Sequence, residues 1–141
     1  MNFVLDVSVA LLWLAPETNP AGVDYATDVL TGLKEAQAVV PSLLALEIAN
    51  VVAKLEARGG VTEAESQRYL TLLGRLNITV DQATAAHAMG ATLNLARRYK
   101  LSAYDAAYLE LALRTGLPLA TLDAGLARAA TNAGVLLFGS H

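Results

Sequence analysis

Short apolar runs alternate along the chain with longer segments of helical periodicity. Continuously apolar runs predict buried strands at residues 3–5, 38–40, 78–80, 118–122 and 135–138. The segments between them, whose apolar residues recur every three or four positions, predict helices at residues 7–14, 21–36, 42–58, 62–76, 81–99, 102–115 and 124–133. This alternation favours an α/β fold in which helices cover both faces of a parallel sheet, a three-layer sandwich.

Capping and stop residues mark the ends of several predicted helices. Ser102 is a favourable N-cap, and Thr62 and Glu65 have the spacing of a capping box. Asp81 is predicted to cap the alanine-rich helix that follows it, and Gly116 to end the helix before it. The predicted helices at 42–58 and 62–76 together form one long insertion between the second and third strands.

Four acidic residues stand out by their positions. Asp6 and Asp123 each follow a predicted strand, and Asp105 lies in the first turn of the helix that begins after Ser102. Glu47 lies within an apolar helix. Because right-handed crossovers bring the ends of parallel strands to one edge, we expect Asp6 and Asp123 at the same rim, where ligands bind in open α/β sheets. A helix that starts at this rim could bring Asp105 beside them.

Crowded carboxylates indicate a particular chemistry. Like charges raise one another's pKa, so a cluster of carboxylates cannot stay ionised without a cation. Mg²⁺ and Mn²⁺ prefer such oxygen ligands. An ion held in this way can activate a water molecule, orient a phosphate and neutralise charge, and hydrolysis of a phosphodiester is the natural reaction.

Each acid also has an ordinary structural explanation. Asp6 and Asp123 directly precede helices and could be N-caps, and Asp105 could simply complement a helix dipole. Glu47 is harder to explain in this way, because a charged side chain beside an apolar stripe needs a partner or a solvent-lined cleft. The four positions together are more specific than any one of them.

Composition narrows the possibilities only slightly. A chain of 141 residues is expected to form one domain, spanning residues 1–141. The chain has no cysteine, which excludes disulfides and cysteine nucleophiles; with no signal-peptide pattern and no apolar run long enough to cross a membrane, we expect a cytoplasmic protein. The net charge of −3 argues only weakly against a nucleic-acid partner if several acids surround a metal ion.

Four segments resemble, in order and spacing, the motifs of PIN-domain proteins, in particular the VapC-type toxin ribonucleases. They are Val-Leu-Asp-Val-Ser at 4–8, Leu-Glu-Ile-Ala-Asn-Val-Val at 46–52, Leu-Ser-Ala-Tyr-Asp-Ala-Ala-Tyr at 101–108 and Ala-Thr-Leu-Asp at 120–123. The resemblance implies a five-stranded parallel sheet between helices and an acidic pocket that binds Mg²⁺ or Mn²⁺. It further implies endonucleolytic cleavage of RNA and a partner antitoxin that blocks the pocket.

The resemblance also assigns roles to individual residues. Asp6, Glu47, Asp105 and Asp123 take the places of the family's metal-coordinating and catalytic acids. Ser8 and Thr121 match positions whose hydroxyls can support the acids or a bound water. Independently of the resemblance, Asn50 lies one helical turn beyond Glu47 on the same face and could hydrogen-bond within the pocket. The candidate contacts to RNA phosphates follow from position alone: Arg97, Arg98 and Lys100 precede the Asp105 helix, and Arg128 lies one turn into the helix after Asp123.

Other proteins with acids at strand ends fit less well. A phosphoacceptor receiver domain needs paired acids after the first strand, and a haloacid-dehalogenase-like phosphatase needs Asp-x-Asp there, where this chain has Ser8. A catalytically inert interaction module remains the alternative, because the helices of residues 42–76 could bury a partner helix or a second copy of the chain. The favoured hypothesis is a metal-dependent endoribonuclease, a homodimeric toxin of a type II toxin–antitoxin pair.

Overall fold

The computed structural model describes residues 1–139 and shows the predicted α/β architecture. Four parallel strands form one sheet in the order β3-β2-β1-β4. They are β1 (Phe3–Leu5), β2 (Ala38–Pro41), β3 (Ile78–Asp81) and β4 (Leu119–Ala120). All three residues of β1 are buried, and because successive side chains of a strand point to opposite faces, both faces of the sheet are covered at β1.

The predicted fifth strand, residues 135–138, is reduced to a single parallel bridge between Leu119 and Leu137. The Leu119 N–H donates to Leu136 O at 2.9 Å, and the Phe138 N–H donates to Leu119 O at 2.8 Å. Gly134 and Gly139, at the two ends of this run, have φ of 86° and 64°. In this left-handed region the backbone turns out of the extended path, so the run is too short to pair further.

The helices follow the predicted segments, with shorter bounds. They are α1 (Val7–Ala10), α2 (Val23–Gly32), α3 (Leu44–Ala57), α4 (Glu63–Arg75), α5 (Thr84–His87), α6 (Leu93–Tyr99), α7 (Ala103–Thr115) and α8 (Ala124–Asn132), with short 3₁₀ turns between α1 and α2. Helices α3 and α4 form the predicted insertion between β2 and β3. No helix within residues 1–139 is both long enough and apolar enough to cross a bilayer.

The predicted helix at residues 81–99 is wrong in two respects. A π-helical segment, Ala88–Thr92, separates α5 from α6, and it has Gly90 at its centre. Asp81 does not cap α5; it ends β3, and its carboxylate accepts hydrogen bonds from Arg114 at 2.7 and 3.1 Å. A salt bridge with α7 has replaced the local capping interaction.

Two predicted helix starts are confirmed by their hydrogen bonds. Thr62 Oγ1 accepts from the Glu65 N–H at 3.1 Å, and Glu65 Oε1 accepts from the Thr62 N–H at 2.9 Å, which is a complete capping box. Ser102 Oγ accepts from the Asp105 N–H at 3.0 Å and so caps α7. The second cap fixes the first turn of the helix that carries Asp105.

Helix α7 is the most deeply buried helix of the fold. Seven consecutive residues, from 106 to 112, are buried, so protein surrounds the helix on nearly all sides. Tyr108, Leu109 and Leu111 belong to the same hydrophobic cluster as β1 and β4. This packing fixes the orientation of α7 against the strand ends that carry Asp6 and Asp123.

Candidate active site

Asp6 lies at the carboxyl end of β1 and is only 2% exposed. Its Oδ2 accepts hydrogen bonds from Ser8 Oγ at 2.5 Å and Thr121 Oγ1 at 2.7 Å. Its Oδ1 is buried and has no hydrogen-bond partner among the described residues. A buried carboxylate oxygen without a partner is costly, so this atom is the clearest sign that Asp6 binds something else.

Ser8 and Thr121 connect Asp6 to the backbone that follows β4. Ser8 Oγ accepts from the Leu122 N–H at 2.9 Å, and Thr121 Oγ1 accepts from the Asp123 N–H at 3.0 Å. Each hydroxyl therefore receives a backbone hydrogen bond and donates its own proton to Asp6. Both hydroxyls are thereby oriented, and one oxygen of Asp6 is held in place.

Glu47, on α3, is half-buried and is held from α7. The Tyr108 hydroxyl donates to Glu47 Oε1 at 2.6 Å. Tyr108 is fully buried, and this burial, followed by the hydrogen bond to Glu47, raises its pKa, so the hydroxyl remains a donor. Sequence analysis gave Tyr108 no role, although its position three residues after Asp105 places the two on the same side of α7.

The capping explanation holds for Asp123 but not for Asp6. Asp123 Oδ1 accepts from the Leu126 N–H at 2.9 Å and caps α8. Asp6 occupies the N-cap position of α1 but makes no side-chain capping bond. Capping uses only one oxygen of Asp123, so its second oxygen can face the other acids.

The four acids affect one another electrostatically. The pKa of Asp6 is raised to about 6, chiefly by burial; the hydrogen bonds from Ser8 and Thr121 lower it, and the charges of Asp105 and Asp123 raise it. Burial also raises the pKa of Glu47, as do the charges of Asp6 and Asp105, while the Tyr108 hydrogen bond lowers it. For Asp105 the pKa is raised by burial and then by Asp123. Every one of the four acids thus takes part in the mutual repulsion expected at a cation site.

The arrangement suits a cation that uses few protein ligands. Within residues 1–139, no group of three or more histidine, aspartate or glutamate side chains is placed so that it could hold a metal ion by itself. Mg²⁺ is, however, commonly bound through only one or two carboxylates, with water and substrate phosphate completing its shell. The Oδ1 atom of Asp6, which no described residue hydrogen-bonds, and the repulsion around it fit such an ion. The remaining acids could then act through bound water.

The other candidate residues lie on the surface. Asn50 is exposed and makes no side-chain hydrogen bond to the described residues, so its expected place in the pocket stays a prediction. The four basic candidates are also exposed: Arg97 donates to Asn94 Oδ1 at 3.2 Å, the Arg98 guanidinium lies 5.7 Å from the centre of the Tyr99 ring, and Lys100 and Arg128 are at the surface. Their contact with RNA stays a prediction as well.

The protein is thus an α/β fold with a parallel sheet, in which Asp6 lies at the carboxyl end of β1 and the charges of Asp105 and Asp123 act on it. The chain belongs to the PIN-domain family, since the family described as PIN domain matches residues 3–132. The resemblance found in the four sequence motifs is therefore confirmed. A search of curated proteins found no match.

Solved structures share the fold over almost their whole length. VapBC2 from Rickettsia felis bound to a DNA fragment from its promoter is 14% identical, with a TM-score of 0.67 and 98% of each chain covered. PAE2754 from Pyrobaculum aerophilum is 22% identical, with a TM-score of 0.62, and 92% of this chain and 87% of that chain are covered. FitAcB from Neisseria gonorrhoeae is 21% identical, with a TM-score of 0.61 and coverage of 99% and 97%. At these identities the similarity shows the fold.

Proposed function

We propose that this protein is a metal-dependent endoribonuclease and the toxin of a type II toxin–antitoxin pair, acting in the cytoplasm. The observation that carries the proposal is the buried Oδ1 of Asp6, which has no hydrogen-bond partner within residues 1–139 of a PIN-domain chain. Three further acids repel the same carboxylate or one another. Mg²⁺, or Mn²⁺ in its place, would relieve this repulsion.

The residues around the site have distinct functions in this proposal. Asp6 is the direct metal ligand, held by Ser8 and Thr121 through its other oxygen. Glu47, Asp105 and Asp123 complete the ion's surroundings, directly or through water. A bound divalent ion supplies activation of water and neutralisation of charge on the phosphate.

The choice of RNA as substrate follows from the resemblance to VapC-type ribonucleases. Four exposed basic side chains, Arg97, Arg98, Lys100 and Arg128, offer contacts to the phosphate backbone. Such contacts position a strand without reading its sequence, so the bases that are recognised must be found by experiment.

An antitoxin partner is supported by the similarity to VapBC2 and FitAcB and by an apolar groove on this chain. The groove lies between α3, α4 and the edge of the sheet, has a volume of about 570 Å³ and is lined by residues such as Leu44, Ile48, Val52, Leu70 and Leu73. Glu56 is the one charged side chain among the described residues that line it. We propose that an apolar segment of the antitoxin occupies this groove.

The same groove is the observation that favours the second candidate function, an inert interaction module. The nuclease and the inert module differ in whether the acidic residues are needed for function. A module needs only the groove, whereas the nuclease also needs Asp6 and a divalent ion. A homodimer is compatible with both, with a second copy packing elsewhere on the surface.

Cleavage of defined RNA with Asp6→Asn separates the two functions. We expect the wild-type protein to cut RNA internally in Mg²⁺ and to lose activity in EDTA, and Asp6→Asn to lose at least about 100-fold in rate because the direct ligand is gone. Asp28→Asn, which removes an exposed acid from α2, should leave the rate unchanged. Full activity in EDTA, or in folded Asp6→Asn, would reject the proposal.

A further inference from the structure

Among residues 1–139, the side chain of Tyr108 is the one that joins the core to Glu47 by a hydrogen bond. The aromatic ring is completely buried in the main hydrophobic cluster, whereas the carboxylate that it binds is half-buried at the acidic edge. The hydrogen bond of 2.6 Å connects α7 to α3, 61 residues apart in sequence. A fully buried side chain is therefore hydrogen-bonded to the Glu47 carboxylate at the acidic edge.

The geometry of this hydrogen bond leaves Glu47 free to bind a cation. Tyr108 engages Oε1, and Oε2 has no hydrogen bond from the described residues. A hydrogen bond to an ionised acceptor is stronger than a neutral one, and the packed ring restricts the direction of the hydroxyl. Glu47 is thus held by one oxygen, as Asp6 is held by Ser8 and Thr121.

We propose that Tyr108 is a positioning residue that presents Glu47 to the divalent ion bound at Asp6. This inference rests on the proposed function, because it assumes the ion. Tyr108 does not contact the substrate or the ion; it acts through Glu47. Carboxylate ligands and their hydrogen-bond donors commonly form such pairs, and loss of the donor weakens metal binding.

The hydroxyl of a buried tyrosine usually has a hydrogen-bond partner whatever its function. The test must therefore distinguish a role in positioning Glu47 from a hydrogen bond that only compensates for burial of the hydroxyl. Tyr69 supplies the matched control. It is also buried, and its hydroxyl donates to the Ala10 carbonyl oxygen at the same distance of 2.6 Å. Tyr69→Phe removes the same atom from the core without touching an acid.

The experiment measures Mn²⁺ binding by isothermal titration calorimetry, without RNA, for the whole protein and its variants. Tyr108→Phe should weaken Mn²⁺ binding about 10-fold, while Tyr69→Phe should change it less than about twofold. Glu47→Gln should weaken binding at least as much as Tyr108→Phe, and the double variant should bind no more weakly than Glu47→Gln alone. RNA cleavage by Tyr108→Phe should recover at saturating Mg²⁺.

Several results would overturn the proposal. If Tyr108→Phe binds Mn²⁺ as the wild type does while Glu47→Gln and Asp6→Asn bind weakly, Tyr108 has no positioning role and the proposed function stands. If neither acid variant weakens binding, the metal site itself is wrong, and the role of Tyr108 fails with it. Should Tyr108→Phe fail to fold, Glu47→Asp keeps the charge but is too short to reach both groups, and wild-type Mn²⁺ binding by that variant would also overturn the proposal.

Discussion

Asp6 shows how one residue can be both well held and unfavourable for the fold. Two hydroxyl groups bind one of its oxygens, yet the other oxygen is buried with no hydrogen-bond partner in the described part of the chain. The charges of Asp105 and Asp123 also oppose the ionisation of Asp6. The protein without metal therefore contains a carboxylate whose charge destabilises the native state. Such strain at a binding site is relieved when the ligand arrives.

The raised pKa of Asp6 predicts how stability depends on pH. Because the pKa is about 6 in the folded protein and 3.8 ordinarily, the native state keeps a proton that the unfolded chain has released between pH 4 and 6. The free energy of unfolding in EDTA should therefore fall as pH rises through this window, with Asp6 contributing about 3 kcal/mol. Urea unfolding at pH 4, 5, 6, 7 and 8 measures this slope.

Asp6→Asn should remove most of the decrease in the free energy of unfolding between pH 4 and 6, because asparagine does not titrate. The pKa of Glu47 and of Asp105 is also raised, so a smaller decrease in the same direction should remain. Asp28→Asn, at an exposed position, should follow the wild-type curve. Parallel curves for the wild type and Asp6→Asn would show that Asp6 is not buried as an unfavourable charge.

At the scale of the residue, the sequence could predict the acids and, through the resemblance, the two hydroxyl groups of Ser8 and Thr121 that bind Asp6, but not the partner of Glu47. Asp6 and Asp123 follow apolar runs, which is a local pattern, and so their place at the sheet edge could be deduced. The bond between Tyr108 and Glu47 joins residues 61 positions apart. This hydrogen bond depends on how α7 packs against α3, and no local sequence pattern predicts that packing.

Among the elements, α7 carries a second polar link in addition to Tyr108. Arg114, near its end, donates to Glu110 Oε2 at 2.7 Å and to Asp81 Oδ2 at 2.7 Å. Glu110 is only 5% exposed, and its charge is balanced by Arg114. These ion pairs connect α7 to β3, the edge strand of the sheet. The hydrogen bonds from Arg114 also hold the pKa of Asp81 below its usual range.

Arg114→Met should therefore destabilise the protein by about 2 kcal/mol, because it leaves the buried Glu110 carboxylate without its counterion. The methionine keeps much of the apolar stem, so lost packing contributes little. Arg75→Met, which removes an exposed arginine from the last turn of α4, should change stability much less. Equal denaturation midpoints for the two variants would contradict this account of the network.

Elements were predictable to the extent that their signals are local. The capping box of Thr62 and the cap at Ser102 were correctly predicted, because each bond spans three residues. The π-helical segment at Ala88–Thr92 and the reduction of the fifth strand were missed. Both features depend on tertiary contacts with neighbouring elements. An apolar run in the sequence does not indicate how many of its residues will pair with a neighbouring strand.

At the scale of the whole molecule, the acidic edge and the apolar groove are separate surfaces joined by α3. Helix α3 contributes Glu47 to the acids, while Leu44, Ile48 and Val52 line the groove. One helix therefore connects the proposed catalytic residues with the proposed antitoxin site. An occupant of the groove that extends along α3 would reach the acidic edge, which is a physical route to inhibition.

The groove leads to the last prediction. Leu70 lines the groove and is 39% exposed. Leu70→Glu should therefore leave the core undisturbed and place a charge where an apolar segment of the antitoxin must pack. We expect this variant to keep its RNA cleavage but to escape inhibition by the proposed antitoxin, when the two proteins are produced together and cleavage is measured. The cost of burying an unpaired carboxylate should weaken that complex by several kcal/mol.

Leu113→Glu provides the matched control, because Leu113 is 41% exposed and lies outside the groove lining. Inhibition should be unaffected in this variant. If Leu70→Glu is inhibited as fully as Leu113→Glu, the antitoxin does not use the groove. If it is inhibited fully but changes from dimer to monomer in light-scattering measurements, a second copy of this chain is the occupant, because a charge at Leu70 disrupts whichever apolar surface is buried against it.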